Sequence, residues 1–269
     1  MTDDATYVIR TGAAARDRLE LIARLCWPTT EGFLERRGAF GVARIVDVGC
    51  GIGDVASRLA ARGVNAMGID VNEDVVKAAA ERSTELGSLA TFRLGGLKDL
   101  GVEDGLRDLD AVYTRCVLSH QTDPKAGLAS MVAAVRPGGM ILVEDVEVAA
   151  VWSSPASNAL ARHRDLYVAA ALGLGASPGV GCELATALHD VGATDVDVDV
   201  AQPLLREPAD MQVHARTMEA IAGPVIQQGL ATDSEVADLV AELDEFAATP
   251  GVVVTMPRIV QVSARAPGA

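Results

Sequence analysis

The chain is expected to fold as an α/β domain, doubly wound around a mostly parallel seven-stranded sheet, and three observations point there. Short apolar stretches alternate with amphipathic ones over short connections, as strand-helix-strand units require. The first stretch, 45–48, runs into Gly49-Cys50-Gly51-Ile52-Gly53-Asp54 and then into Val55, Ala56, Leu59 and Ala60 at helical spacing. The next strand ends in Asp70, about twenty residues on, where an acid beyond a strand end meets a nucleotide ribose.

Taken in order, residues 13–26 and 29–38 read as two helices, with Pro28 and Gly38 as punctuation. Strands at 44–48, 65–69 and 90–94 then alternate with helices at 53–62 and 72–86. Gly63 and Gly87 follow those helices, where a left-handed glycine commonly ends one. A strand at 109–114 leads to a helix with Asp123 as N-cap and Pro124 at its first position. That helix stops at Arg136-Pro137-Gly138-Gly139, and a strand follows at 140–146. Beyond it, 154–172 and 181–191 read as helices, the second closed by Gly192. At 194–200, Val196, Val198 and Val200 alternate with aspartates, which predicts a strand with one solvated face near a sheet edge. Residues 207–248 read as two helices broken around Gly223-Pro224 and Gly229, inserted before a last strand at 258–264. With no repeats and no low-complexity segment, 1–269 is expected to be one domain: lid helices in 1–40, a ligand-binding core in 41–146, and substrate-side elements in 147–264.

The glycine loop carries a charge argument. A dinucleotide fingerprint is G-x-G-x-x-G, whose bare helix N-terminus faces a pyrophosphate. Here Asp54 stands where the third glycine would be, and Asp47 precedes the loop. Two carboxylates repel a pyrophosphate and attract an ammonium or sulfonium. The loop therefore favours S-adenosylmethionine over NAD. The alternative role of Asp70, with Asn72, Glu73 and Asp74, is to open the next helix.

At these residues the chain resembles the class I S-adenosylmethionine-dependent methyltransferases, in the small-molecule branch similar to ubiquinone and menaquinone methyltransferases. The resemblance covers roughly residues 40–146. Asp47-Val48-Gly49-Cys50-Gly51-Ile52-Gly53-Asp54 is similar to the family's first motif, and Gly68-Ile69-Asp70 to its second. It implies a Rossmann-like fold with an antiparallel last strand, S-adenosyl-L-methionine as cofactor, and methyl transfer to a small molecule. The implied cofactor residues are Asp47, Gly49, Cys50, Gly51, Gly53, Asp70, Val71, Gly96, Leu97 and Arg115. After the third strand the family usually reads Gly-Asp-Ala, its aspartate binding the adenine amino group. This chain has Gly95-Gly96-Leu97, which leaves a backbone N–H at Leu97 and the apolar faces of Val71 and Leu97 for that role.

Ligands in open α/β sheets bind beyond the carboxyl ends of the strands, which draws attention to Tyr113-Thr114-Arg115-Cys116-Val117-Leu118-Ser119-His120. In the family a histidine after the fourth strand often faces the acceptor. His120, with an unperturbed pKa near 6.5, is then the candidate general base; the alternative is a loop histidine bonded locally. Arg115 either orients the methionine carboxylate or an acidic substrate, or pairs with Asp110 or Asp123. Glu144-Asp145 invites comparison with methyltransferases that use a divalent ion, but no oxygen-ligand trio is recognisable, and no metal is expected. His163 and His189 fall in expected helices, where exposure or packing is the commoner role. Five of the nine aromatic residues, Tyr7, Trp27, Phe33, Trp152 and Tyr167, fall in the N-terminal helices or after the fifth strand. Tyr7, Trp27, Trp152 and Tyr167 are the candidate substrate contacts, with packing against the domain body as the alternative.

A formal net charge of −14 over 269 residues argues against nucleic acid and anionic membranes as partners. Four cysteines lie far apart with no C-x-x-C, so neither a zinc cluster nor a disulfide framework is suggested. No apolar run approaches the length of a membrane span, and Met1-Thr2-Asp3-Asp4 lacks the basic start of a signal peptide. A cytoplasmic protein is expected, and twenty arginines against three lysines suggest a GC-rich bacterial source. Two other readings stay open: a Rossmann-like protein that retains the cofactor without transferring methyl, and an NAD-dependent oxidoreductase. Sequence leaves the oligomeric state open.

Overall fold

The computed structural model describes residues 13–268, and side chains from Arg16 onward. Tyr7 lies outside the described residues. Helix α1 (Ala13–Arg36) precedes five strands that alternate with helices: β1 (Arg44–Val48), α2 (Asp54–Ala61), β2 (Asn65–Asp70), α3 (Glu73–Glu85), β3 (Thr91–Leu94), β4 (Leu109–Arg115), α4 (Pro124–Ala134) and β5 (Val135–Glu147). Then come β6 (Ser153–Ser154), α5 (Asn158–Gly173), α6 (Leu184–Asp190), β7 (Thr194–Ala201), β8 (Leu204–Leu205), α7 (Pro208–Gln227), α8 (Asp233–Ala248), β9 (Val253–Thr255) and β10 (Arg258–Arg265). The seven-stranded sheet has the order β3-β2-β1-β4-β5-β10-β7. β10 is antiparallel to both β5 and β7, and the other neighbouring pairs are parallel. This is the doubly wound, Rossmann-like sheet the sequence predicts, antiparallel last strand included.

Alternation along the strands assigns each face. Ile45, Ala111, Tyr113, Met140 and Leu142 pack with Phe33 and Leu34 of α1 and with Val55, Ala56 and Leu59 of α2. The opposite parity, Val46, Val48, Val112, Ile141, Val143 and Val262, packs under Leu128 and Met131 of α4 and Leu184 and Leu188 of α6. A third core lies among α1, α5, α7, α8 and a small sheet ordered β6-β9-β8. These elements form a cap with its own interior, built around Met211, Met218, Ile221, Val225, Leu239 and Leu243.

Several local expectations are corrected. The two N-terminal helices are one: α1 runs through Pro28. A proline costs the carbonyl four residues back its partner, yet Cys26, Thr30, Phe33 and Leu34 are buried on both sides of the break and hold the helix through it. Gly223-Pro224 likewise does not break α7, because Pro224 falls in its last turn while Ile221 and Val225 are buried. α5 starts four residues later than expected, at the Ser157 cap that accepts from Leu160 N, and 181–191 opens as a short 3-10 turn before α6. Residues of β6, β8 and β9 give no sequence signal, being two or three residues long. At β7 both faces are partly solvated: Asp197 and Asp199 reach the end of α1, where Arg37 binds both and Arg36 binds Asp199 at 3.0 Å, while Val198 and Val200 are exposed and Val196 packs on the core.

Candidate active site

The loop after β1 is shaped by three glycines with positive φ, at 69° for Gly49, 53° for Gly51 and 73° for Gly53. Such angles strain any residue with a β-carbon, and the surroundings differ among the three. A β-carbon at Gly49 would meet Val117 at 2.2 Å and one at Gly53 would meet Phe92 at 2.6 Å, but at Gly51 it would meet nothing within 4 Å. Gly49 and Gly53 are thus glycines for packing, and Gly51 alone of the three opens outward. The loop is tied to β2 by Gly49 N and Cys50 N, both donating to Ile69 O at 2.8 and 3.0 Å. The Cys50 thiol is buried against Gly68, and its backbone closes the turn by accepting from Gly53 N at 2.9 Å.

Each acid of the motif has a distinct environment. Asp47, on β1, is buried, and its carboxylate accepts from Ala56 N at 3.2 Å inside the first turn of α2. Burial pushes its pKa up to about 7, opposed by the charge of Arg115 and the Ala56 bond and assisted by Asp54 and Asp70. Asp70 accepts from Gly51 N through one oxygen and from Asn72 N through the other, both at 3.1 Å. Its pKa is also raised, chiefly by burial. Asp54 differs from both in being ion-paired within the domain. Arg58 Nε donates to both of its oxygens at 3.0 and 3.1 Å, and Arg82 stands at 3.6 Å. The charge argument for a cationic ligand therefore rests on Asp47 and Asp70, with Asp54 neutralised within the domain.

Beyond Asp70, Val71 is 68% exposed, an apolar side chain at the strand ends. Gly96 backs onto it, since a β-carbon there would meet Val71 at 2.8 Å. Gly96 N donates to Asp99 at 2.7 Å. The N–H of Gly96 is thus taken up by an acid three residues later, which caps a 3-10 turn spanning Leu97–Asp99 that sequence reasoning did not single out. Leu97 is buried in the core beside α4.

The segment after β4 is less open than expected. Arg115 donates to Thr30 Oγ1 of α1 at 3.0 Å, not to Asp110, which holds Arg136 and Arg44 N, nor to Asp123, which caps α4. His120 ends a buried 3-10 turn, Leu118–His120. Burial and the nearby charge of Arg18, on α1, lower its pKa to about 4, so the imidazole is neutral throughout the physiological range. Glu144 and Asp145 point to opposite faces of β5. Tyr113 Oη and Gln261 Nε2 donate to Glu144 at 2.5 and 2.6 Å, while Asp145 accepts from Leu118 N and Ser119 N at 2.8 and 3.2 Å. Among the described residues no group of three or more histidines, cysteines and acids is placed to hold a metal ion.

The candidate substrate aromatics are not brought together. Trp27 lies under Arg58, whose guanidinium carbon is 4.4 Å from the ring centre, which makes it part of the α1–α2 interface. Trp152 is 49% exposed beside β9, and Tyr167 packs into the cap core. Sequence reasoning missed His214 of α7, whose ring stands 5.7 Å from that of His163. His214 Nε2 lies 3.1 Å from Thr255 O, and both rings are buried. Nothing local marks this pair, because its members are fifty residues apart on separate helices.

The loop therefore fits a nucleoside with a cationic group: an acid on the second strand, an apolar face beside it, and one glycine facing outward. Comparison with known proteins agrees. The model of a family described as a methyltransferase domain matches residues 42–172. A ubiquinone biosynthesis O-methyltransferase of Xylella fastidiosa is 29% identical over 119 residues, which are 44% of this chain and 48% of that protein. The chain thus spans about half the length of the curated relatives it matches. Among solved structures, a putative sarcosine dimethylglycine methyltransferase from Galdieria sulphuraria superposes with TM-score 0.56 at 14% identity, covering 90% of this chain and 86% of the other. A phosphoethanolamine N-methyltransferase of Haemonchus contortus, bound to S-adenosylhomocysteine, gives 0.56 at 19% identity over 90% of this chain and 53% of that one. Over residues 42–172, the stretch that holds the glycine loop, Asp70 and the segment after β4, the chain is similar to methyltransferase domains.

Proposed function

We propose that the protein transfers the methyl group of S-adenosylmethionine to an oxygen or nitrogen of a small molecule, in the cytoplasm and in specialised metabolism. The observation that carries this reading is the pairing of Gly51 with Asp70: one glycine of the loop faces open space while its N–H is fixed by the acid that ends β2. When bound, S-adenosylmethionine supplies a methyl group already activated by its positively charged sulfur. Asp70 keeps lone pairs on both oxygens for the ribose hydroxyls while its bonds to Gly51 and Asn72 fix its orientation. Gly51 brings backbone to the ligand while Gly49, Cys50 and Gly53 shape the loop that carries it, and Val71 forms the adenine side, backed by Gly96 and by the backbone at Leu97. Asp47 offers negative charge to the cationic part.

The remaining contribution is positioning, because holding acceptor and methyl carbon in line lowers the barrier without a chemical group acting on the donor. His120, neutral at pH 7, takes the acceptor's proton where the acceptor arrives protonated. Trp152, half exposed on the cap, is the acceptor contact retained from the aromatic candidates, since Trp27 packs under Arg58 and Tyr167 into the cap core. The O-methyltransferase names of the curated relatives support an oxygen acceptor.

The test is incubation of the protein with deuterated-methyl donor and a metabolite extract, read by mass spectrometry. A product heavier by a deuterated methyl group is expected, and it identifies the acceptor. Donor binding without any labelled product would instead favour a cofactor-retaining protein, and binding of NADH in preference to S-adenosylmethionine an oxidoreductase.

A further inference from the structure

Between α1 and the carboxyl ends of the strands lies a buried polar layer of which the cofactor reading uses only Asp47. Register builds it. Asp47 of β1 stands opposite Tyr113 of β4, Arg115 of β4 opposite Glu144 of β5, and Glu144 opposite Gln261 of β10. Because these positions share one parity, their side chains all face α1. Glu144, Asp47, Tyr113 and Gln261 are all buried. Glu144 is held from both sides by Tyr113 and Gln261, and Gln261 also donates to Thr29 O of α1 at 3.1 Å. Arg115 completes the row by donating to Thr30, which is fully buried.

Two carboxylates in such a layer need a cation, since an uncompensated buried charge is costly. Arg115 stands between them: its charge opposes the burial of Asp47, and against its own burial Tyr113, Cys26 and its strand neighbour Glu144 favour its charged form. Other charged or titratable groups within electrostatic reach of this layer are Asp54 of α2, Asp70 of β2, Cys26 of α1 and Cys116 after β4. Asp54 is already paired with Arg58.

We infer that Arg115 is a positioning residue, which serves as counter-ion to Asp47 and Glu144 while its bond to Thr30 seats α1 over the strand ends. One side chain then couples closure of the N-terminal helix to the charge that Asp47 presents to the donor. The inference rests on the proposed use of S-adenosylmethionine. A cation arriving beside Asp47 drives out whatever proton the carboxyl holds, so donor binding near neutral pH releases protons, and the pH of maximal release reports Asp47.

The experiment is calorimetry of S-adenosylmethionine binding from pH 5.5 to 9 in buffers of different ionisation enthalpy, with hydrogen exchange of α1 measured alongside. Arg115→Gln should move the pH of maximal proton release upward by about one unit or more, and weaken binding at pH 7 by roughly tenfold, one pH unit corresponding to a factor of ten. Arg115→Lys keeps the charge and should hold the release profile near that of the wild type. Thr30→Val should leave the profile in place and speed exchange around Cys26 to Phe33. Wild-type binding with an unmoved profile in folded Arg115→Gln overturns this inference and leaves the proposed function standing. A shifted profile in Arg115→Lys, or unchanged α1 exchange in Thr30→Val, also overturns it, even if the glutamine variant does not fold. A wild-type protein that does not bind the donor overturns both readings together.

Discussion

The strand ends of β1, β2 and β4 and the cap of α5, α7 and α8 solve the burial of polar groups in different ways. At the strand ends, acids are fixed by backbone N–H groups one loop away: Asp47 by Ala56, Asp70 by Gly51 and Asn72, Asp145 by Leu118 and Ser119. Their partners follow from local chain geometry. In the cap, two histidines are buried with little to satisfy them. His163 Nδ1 has no hydrogen-bond partner among the described residues, and His214 is held by a carbonyl from β9. The first arrangement keeps charged groups ready for a ligand, and the second tolerates only neutral ones. The two regions should accordingly respond differently to mutation and to acid.

The largest effect expected is on turnover. His120 lies between the regions, on the segment after β4 and against Arg18 of α1. As general base, its replacement by Ala should lower kcat by a factor on the order of 10²–10⁴ while donor affinity stays near that of the wild type. The pKa of about 4 changes the pH profile expected for an ordinary histidine. Only neutral imidazole accepts a proton, so the wild-type limb should lie near pH 4 and the rate should be level from pH 6 to 8. A limb near pH 6.5 in the wild type would mean that ligand binding opens the site to water. Normal turnover in the mutant would return His120 to a packing role.

Next in size is the response of the cap to acid. Burial lowers the pKa of His163 to about 3, with the neighbouring His214 adding to the shift, and that of His214 to about 4. The unfolded chain binds protons near pH 6.5 and the folded one does not, so stability is lost as pH falls below that value. For a histidine shifted this far, the linkage amounts to something on the order of 3 kcal/mol once fully expressed. Asp47 works in the opposite sense. Its folded pKa of about 7 lies above the model value of 3.8, so its contribution is complete below 3.8 and lost as pH rises through 7. Urea unfolding of wild type and His163→Leu at pH 7.5 and pH 5 separates the terms. The variant should lose less stability on acidification, because Leu removes an unpartnered polar atom and cannot take a proton. Equal losses would mean that His163 finds a partner in solution.

The strand-end region is tested by Asp70→Ala. The carboxylate fixes Gly51 N and is assigned both ribose hydroxyls, and hydrogen bonds to charged groups contribute about 1.5–3 kcal/mol each. Donor affinity should fall at least roughly tenfold, read by calorimetry on a variant whose unfolding midpoint is unchanged. Unaltered affinity would take Asp70 out of the site and leave it as the brace of the glycine loop.

The same contrast explains what the sequence made legible. The sheet could be read almost strand by strand because each βα unit carries its own signal: apolar run, glycine after the helix, acid at the strand end. The loop could be read for the same reason, since Asp47, Gly51 and Asp70 act through neighbours close in sequence or in adjacent strands. Asp54 misled, because its partners Arg58 and Arg82 are one turn and one helix away and their direction is not encoded locally. Pro28 and Gly223-Pro224 misled in the other direction: punctuation predicts a break, but burial on both sides overrides it. The cap was least legible. Its strands of two or three residues, the pairing of His163 with His214 and the turning of Arg115 toward Thr30 all depend on segments brought together over tens to hundreds of residues.

The smallest expected effect concerns Glu144-Asp145, adjacent acids at the end of β5 whose spacing suggests a shared cation. In a strand, adjacent side chains point to opposite faces, and the structure bears this out: Glu144 faces Tyr113 and Gln261, Asp145 faces the backbone of Leu118 and Ser119. Binding one ion through both would require turning one carboxylate through the sheet and abandoning two hydrogen bonds. Methyl transfer should therefore proceed at the same rate, within error, in EDTA and in millimolar magnesium. Activity abolished by the chelator and restored by magnesium would show that acids outside this pair complete a metal site over the strand ends, and it would transfer the ordering of the acceptor from the cap to that ion.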